Sequence, residues 1–100
     1  MPPAITAETI AESVFRAIDA HNASEGSAIP AAADTALLGE GGAVDSLGLV
    51  RLIMTVERQV EDDFGVPLSL TDEKAMSQRN SPFRTVGTLT AYIGSCLAQQ

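Results

Sequence analysis

Few side chains in this chain could do covalent chemistry, and Ser46 stands out among them by its position. It lies in Val44-Asp45-Ser46-Leu47-Gly48-Leu49-Val50, where a polar, glycine-rich loop gives way to a sustained amphipathic stretch. Asp45 is a capping residue there, and Ser46 falls in the first helical turn, where backbone N–H groups lack partners and the helix dipole is positive. An anion attached to its hydroxyl would meet both, so the residue reads either as a tethering point or as a plain helix cap. Nucleophilic catalysis is a poorer fit. Val44 stands where a nucleophile elbow needs its first glycine, no strand precedes it, and the chain holds one histidine and one cysteine. His21 belongs to the apolar side of a helix near its end, as a carbonyl cap or core-edge residue, and Cys96 to a buried face as an inert thiol.

Other candidate clusters read as structure. Glu57, Glu61, Asp62 and Asp63 lack the glycine and alternating spacing of a calcium loop and make a solvated helix face, so no metal is expected. Gly39-Glu40-Gly41-Gly42 lacks the lysine and hydroxyl residue of a phosphate-binding loop and is a turn. Asn22-Ala23-Ser24 matches a glycosylation sequon, which carries no weight without a secretory signal.

The elements that must position Ser46 are helical. Ile10, Val14, Ala17, Ile18 and His21 share one face of a first helix from about Thr6 to about His21, extended by Phe15, with Thr9 and Glu12 as an internal capping box. Asn22-Ala23-Ser24 through Gly26 ends it and opens a loop of roughly two dozen residues, a length that needs a pin. Leu37-Leu38 supplies one, and Gly39, Gly41 and Gly42 give turn freedom. A second helix spans about Ser46 to Asp63, burying Leu49, Leu52, Ile53, Val56 and Val60; Arg51, Thr55, Arg58 and Asp62 face away, with Arg58 able to pair with Asp62. Gly65 and Pro67 stop it, and Val66-Pro67-Leu68 is an extended connector. Thr71–Met76 reads as one or two helical turns ended by Asn80-Ser81-Pro82. A last helix from near Thr85 to about Leu97 turns Val86, Leu89, Tyr92, Ile93 and Cys96 or Leu97 inward and is weakened by Gly87 and Gly94. No alternating strand pattern occurs, so the fold class is all-α.

Length and charge narrow the function. One hundred residues, 45% of them hydrophobic, make a single domain over 1–100, with 1–5 a loose lead-in, large enough for a core but not for a deep catalytic cleft as well. Thirteen acids against six bases, a formal charge of −7, argue against nucleic acid and anionic lipid and for proteins with basic docking faces. The single cysteine, the absence of a signal-peptide pattern and the lack of any membrane-length apolar window place the chain in the cytoplasm, uninserted.

The Asp45-Ser46-Leu47 triplet, followed by Val50, Leu52-Ile53-Met54 and Val56-Glu57 and closed by Phe64-Gly65-Val66, resembles the acyl carrier protein family. Asp34-Thr35-Ala36-Leu37-Leu38-Gly39 resembles the family's approach to its serine, and Phe83-Arg84-Thr85-Val86 through Tyr92-Ile93 its last helix, so the likeness covers nearly the whole chain. It implies a small four-helix bundle of three main helices and one short one with a long first loop. It also implies a monomeric, non-enzymatic carrier whose Ser46, flanked by Asp45 and Leu47, bears a phosphopantetheine arm. A phosphopantetheinyl transferase would load the arm. Acyl-loading, acyl-modifying or acyltransferase enzymes of lipid, polyketide-like or other secondary biosynthesis would use the thioester. Common carriers place acids where this chain has Gly48 and Arg51, and after Glu57 comes Arg58. A docking helix made of Gly48, Arg51, Glu57 and Arg58 is therefore mixed in sign and suits a specialised member. Peptidyl or aminoacyl carriers usually show Gly-Gly-(apolar or His)-Ser-Leu, so the aspartate before Ser46 favours the acyl class. A cofactor-free acidic helical adaptor is the alternative from another class.

Overall fold

The structure, a computed structural model, describes residues 4–37, 42, 44–70 and 83–98, with Ser46 described by its backbone. Three helices account for the regular structure: α1 (Ala7–Glu25), α2 (Ser46–Phe64) and α3 (Val86–Ala98). Among the described residues there is no strand, only an isolated antiparallel bridge between Ala36 and Thr85. The short helix expected over Thr71–Met76 and its stop at Asn80-Ser81-Pro82 lie outside the described residues, as do Leu38, Gly39 and Gly41.

α1 starts where the sequence predicts but by a different device. Thr6 is the N-cap: its hydroxyl accepts the Thr9 N–H at 3.1 Å, and the Thr9 hydroxyl accepts the Thr6 N–H at 3.0 Å. The reciprocal cap is therefore Thr6 with Thr9, not Thr9 with Glu12. The helix also runs past His21 to Glu25, ending at Gly26 in the left-handed region (φ 66°). Asn22 does not break it, because its side chain works outside the helix. Its Oδ1 accepts the Ile29 N–H (3.0 Å) and the Ser27 hydroxyl (2.8 Å), while its Nδ2 donates to the Ile29 carbonyl (3.0 Å). An amide whose partners lie beyond the helix no longer competes with the helical backbone.

α2 buries Leu49, Leu52, Ile53, Val56, Val60 and Phe64 and ends at Gly65 (φ 70°), whose N–H returns to the Glu61 carbonyl. α1 packs against both α2 and α3. It runs antiparallel to α2: Arg16 meets Asp63 (2.7 Å), and Glu25, later in α1, meets Arg51, earlier in α2 (3.0 Å). Among the described residues no ion pair joins Arg58 to Asp62; the i,i+4 partners that meet on this helix are Gln59 and Asp63, at 3.1 Å. Asp63 is held by more than one group. Burial works to raise its carboxyl, but hydrogen bonds from Arg16 and Gln59 and the Arg16 charge outweigh that and hold it below the ordinary value of 3.8. The buried Ser13 hydroxyl lies near the same carboxylate without reaching bonding geometry.

The loop after α1 is pinned from two sides. Ile29 and Leu37 enter the core, at 5% and 0% exposure, the first unforeseen and the second as the sequence predicts. The backbone then docks on the start of α3: Leu37 N–H donates to the Arg84 carbonyl (2.7 Å), Val86 N–H to Thr35 (3.0 Å) and Gly87 N–H to Ala33 (2.8 Å). Two first-turn donors that a helix normally leaves unpaired are satisfied in this way, beside a Thr85–Thr88 hydroxyl cap. Gly87 is what lets the loop approach, since a Cβ there would lie 2.9 Å from the Ala33 carbonyl oxygen. Phe83, buried, packs edge-on to Tyr92 with ring centroids 6.3 Å apart. Val86, Leu89, Ile93 and Leu97 complete the core, with Tyr92 and Cys96 half-buried beside it.

Two outcomes are expected in thermal melts. Gly87→Ala destabilises, by about 1–3 kcal/mol as overpacking does. Gly94→Ala, whose new methyl would meet Ile10 Cδ1 at an ordinary 3.5 Å, stabilises by up to about 1 kcal/mol. Stabilisation by both substitutions would show that the loop does not press on α3. Asp63→Asn melts below the wild type at pH 7, and the gap closes as pH falls below 3.8, because a carboxyl lowered in the folded state stabilises only while ionised. A gap independent of pH would remove the charge from the account.

Candidate functional site

Ser46 is the first residue of α2, and the cap before it decides the local geometry. Asp45 is extended (φ −83°, ψ −179°); its Oδ1 accepts the Gly48 N–H at 2.7 Å, and its carbonyl accepts the Leu49 N–H at 2.8 Å. The loop delivers Asp45 through Val44, whose N–H reaches the Leu37 carbonyl at 3.4 Å. Leu47, next after Ser46, is 61% exposed. Gly48 serves the cap directly: a Cβ there would stand 3.1 Å from Asp45 Oδ1 and 3.4 Å from Val44 Cβ. Its small size therefore has a local structural reason besides any effect on docking charge.

The start of α2 faces the end of α1 across a groove of about 360 Å³. His21, Glu25 and Ser27 line one side, and Val44, Asp45, Leu47, Gly48 and Arg51 the other. His21 is 4% exposed, at the core edge. Both sequence neighbours of Ser46, Asp45 and Leu47, line this groove. Its charged groups are largely engaged: Asp45 caps α2 through the Gly48 N–H, and Arg51 pairs with Glu25 at 3.0 Å. Among the described residues no group of three or more His, Cys, Asp or Glu gathers as a metal site.

The four residues expected to dock partners do not form one patch. Arg51 and Arg58 are exposed on the face that also shows Leu47 and Met54, spaced at four, seven and eleven residues from Leu47. Met54 is 60% exposed. Glu57 points elsewhere, half-buried, its Oε2 accepting the Leu70 N–H at 2.8 Å and so holding the connector after α2 against the bundle. Leu70, fully buried, is a core residue that helical periodicity could not reveal, because it follows a proline-containing extended stretch. The pairing of Arg51 with Glu25 was equally out of reach, since it joins residues 26 apart.

A scan against protein-family models, a search of curated proteins and a search of solved structures return no match. No helix among the described residues is long and apolar enough to cross a membrane.

The cap and Gly48 are expected to be coupled. Asp45→Ala costs about 1 kcal/mol of stability, as loss of an N-cap does. Gly48→Ala gains less than the roughly 1 kcal/mol usual for a helical glycine, because its methyl crowds the carboxylate, and the full gain returns in the Asp45→Ala background. Additive effects in this double-mutant cycle would mean that the two side chains do not touch.

Proposed function

We propose that the chain is an acyl carrier whose Ser46 bears a phosphopantetheine arm. The observation that carries the reading is the placement of Ser46 as the first residue of an aspartate-capped helix, between two residues that line a groove, within the Asp-Ser-Leu sequence. The cap is made by the residue before Ser46, so its hydroxyl is not required for that task. The exposed Leu47 supports access by a loading enzyme, since an apolar side chain left beside the serine gives a transferase something to grip. A transferase would move the phosphopantetheinyl group of coenzyme A onto the Ser46 hydroxyl, forming an Oγ–P bond as the pyrophosphate P–O bond breaks, with the hydroxyl proton passing to a base of the transferase and the nucleotide leaving with the electron pair. When bound, phosphopantetheine supplies a terminal thiol that holds an acyl group as a thioester. The chain itself supplies the address. Its exposed α2 face, with Arg51 and Arg58 beside Leu47 and Met54, disfavours partners built for an acidic docking helix and suits dedicated ones.

Incubation with coenzyme A and a broad-specificity phosphopantetheinyl transferase is expected to add one phosphopantetheinyl group to the wild type and none to Ser46→Ala, read by intact mass. An unmodified wild type would overturn the carrier reading in favour of a cofactor-free helical adaptor. Loading of the alanine variant would overturn the site.

A further inference from the structure

Two surfaces of the chain have chemistry that the fold itself does not use, and they complement each other. The first is a groove of about 720 Å³ between the first half of α1 and α3. Ala7 and Ala11 wall it, Gly87, Ala91 and Gly94 lie opposite, and Ile5, 49% exposed, stands at one end. α3 has no charged residue among its 13. The two hydroxyls in the lining are engaged locally, Thr6 with the Thr9 N–H and Thr90 with the Val86 carbonyl, so an occupant is held by apolar contact and shape. Glu8 and Glu12 directly follow Ala7 and Ala11, and Asp19 continues their row along α1, so exposed carboxylates edge the groove. None of the three is in an ion pair among the described residues. The second surface is the exposed stripe of α2, Leu47, Arg51, Met54 and Arg58. Leu47 and Met54, with Ile5 of the groove, are the large apolar side chains exposed among the described residues. Arg51 gives one nitrogen to Glu25 and keeps donors on the others, and Arg58 is in no ion pair among the described residues. Glu61 and Asp62, a turn beyond Arg58, end the cationic stretch. Both surfaces have the same repeat. Leu47 and Met54, Arg51 and Arg58, Gly87 and Gly94, and Glu12 and Asp19 are all seven residues apart, about 10.5 Å along a helix.

We propose that the α2 stripe of one copy of this chain seats in the α1–α3 groove of a second copy. Leu47 and Met54 enter beside Gly87, Ala91 and Gly94, where the absence of side chains leaves room, and Arg51 and Arg58 meet the row of Glu8, Glu12 and Asp19. Pairing either surface with itself would set arginines against arginines or the carboxylate row against its own copy. A lipid chain would fill the groove but leave the carboxylates unpaired, and an anionic lipid surface would be repelled by them. Because the two surfaces differ, the contact is head-to-tail, and each copy can hold one neighbour on each of them. This association does not depend on Ser46, and it departs from the monomer that the family resemblance implies.

Sedimentation equilibrium of the unmodified full chain tests this. Between about 10 μM and about 1 mM, the range in which a weak contact shows, the average mass of the wild type is expected to rise above that of one chain. Met54→Glu removes an apolar side chain from the stripe, and Ala91→Glu puts a charge into the groove; both positions are exposed, and circular dichroism checks that both variants fold. Each alone is expected to stay at the mass of one chain. Mixed in equal amounts, they are expected to pair as a heterodimer and grow no further, because each keeps the surface that the other has lost. Arg58→Glu is expected to weaken association of the otherwise unchanged chain. A wild type that stays at the mass of one chain throughout would overturn the proposal. So would association of either glutamate variant to the wild-type extent, or a mixture of the two that does not pair. Association unchanged by Arg58→Glu would overturn the charge pairing.

Discussion

The backbone docking of residues 33–37 onto the start of α3 is the constraint on which the rest of the molecule depends. A connection of about twenty residues between α1 and α2 could wander, because lengthening a loop costs little entropy per residue and nothing in its composition forces a path. Three backbone hydrogen bonds, running from Gly87, Val86 and Leu37 to Ala33, Thr35 and Arg84, remove that freedom. Two of them use groups that need partners anyway, the unpaired donors of a helix start, and the approach is open only because residue 87 has no side chain. From Leu37 the path continues to Val44 and then to the Asp45 cap, so the position of Ser46 traces back to the first turn of a helix 40 residues later in the chain.

α1 is the element that integrates the bundle. It packs on both other helices, and its C-terminal half supplies the groove wall opposite Ser46. The polar links across the α1–α2 seam, Arg16 with Asp63 and Glu25 with Arg51, join partly exposed side chains and contribute little each. They act on register more than on stability, holding the end of α1 level with the start of α2. Apolar burial supplies the cohesion, from Ile10 through Phe64 along α1 and α2 to Leu97 on α3.

The net charge of −7 overstates how acidic the exposed face of α2 is. Asp45, Glu57 and Asp63 are occupied within the fold, capping α2, holding the Leu70 amide and pairing with Arg16. Two of the six bases lie on the exposed face of α2 with Leu47 and Met54, two of the three large apolar side chains exposed among the described residues. This face thus carries cations and apolar side chains where the overall composition promises carboxylates.

The sequence by itself determined the three helices, the buried faces of all of them and the start and stop of α2. These follow from features local in the chain: apolar residues at helical spacing, Asp45 before Ser46, and Gly65 where a left-handed cap is needed. It also singled out Ser46 and Leu37. It ended α1 a turn early, because Asn22 reads as a breaker until its amide is seen bonding Ile29 and Ser27. It took Gly87 for a weakness and Gly48 for a missing docking charge, although one admits the Ala33 carbonyl and the other makes room for the Asp45 carboxylate. It gave Glu57 to the surface, and left His21 and Arg51 apart, 30 residues from each other. The tertiary structure alone decided these, because each depends on a contact between residues distant in the chain or on the space beside a backbone atom, and neither leaves a periodic trace in the order of amino acids.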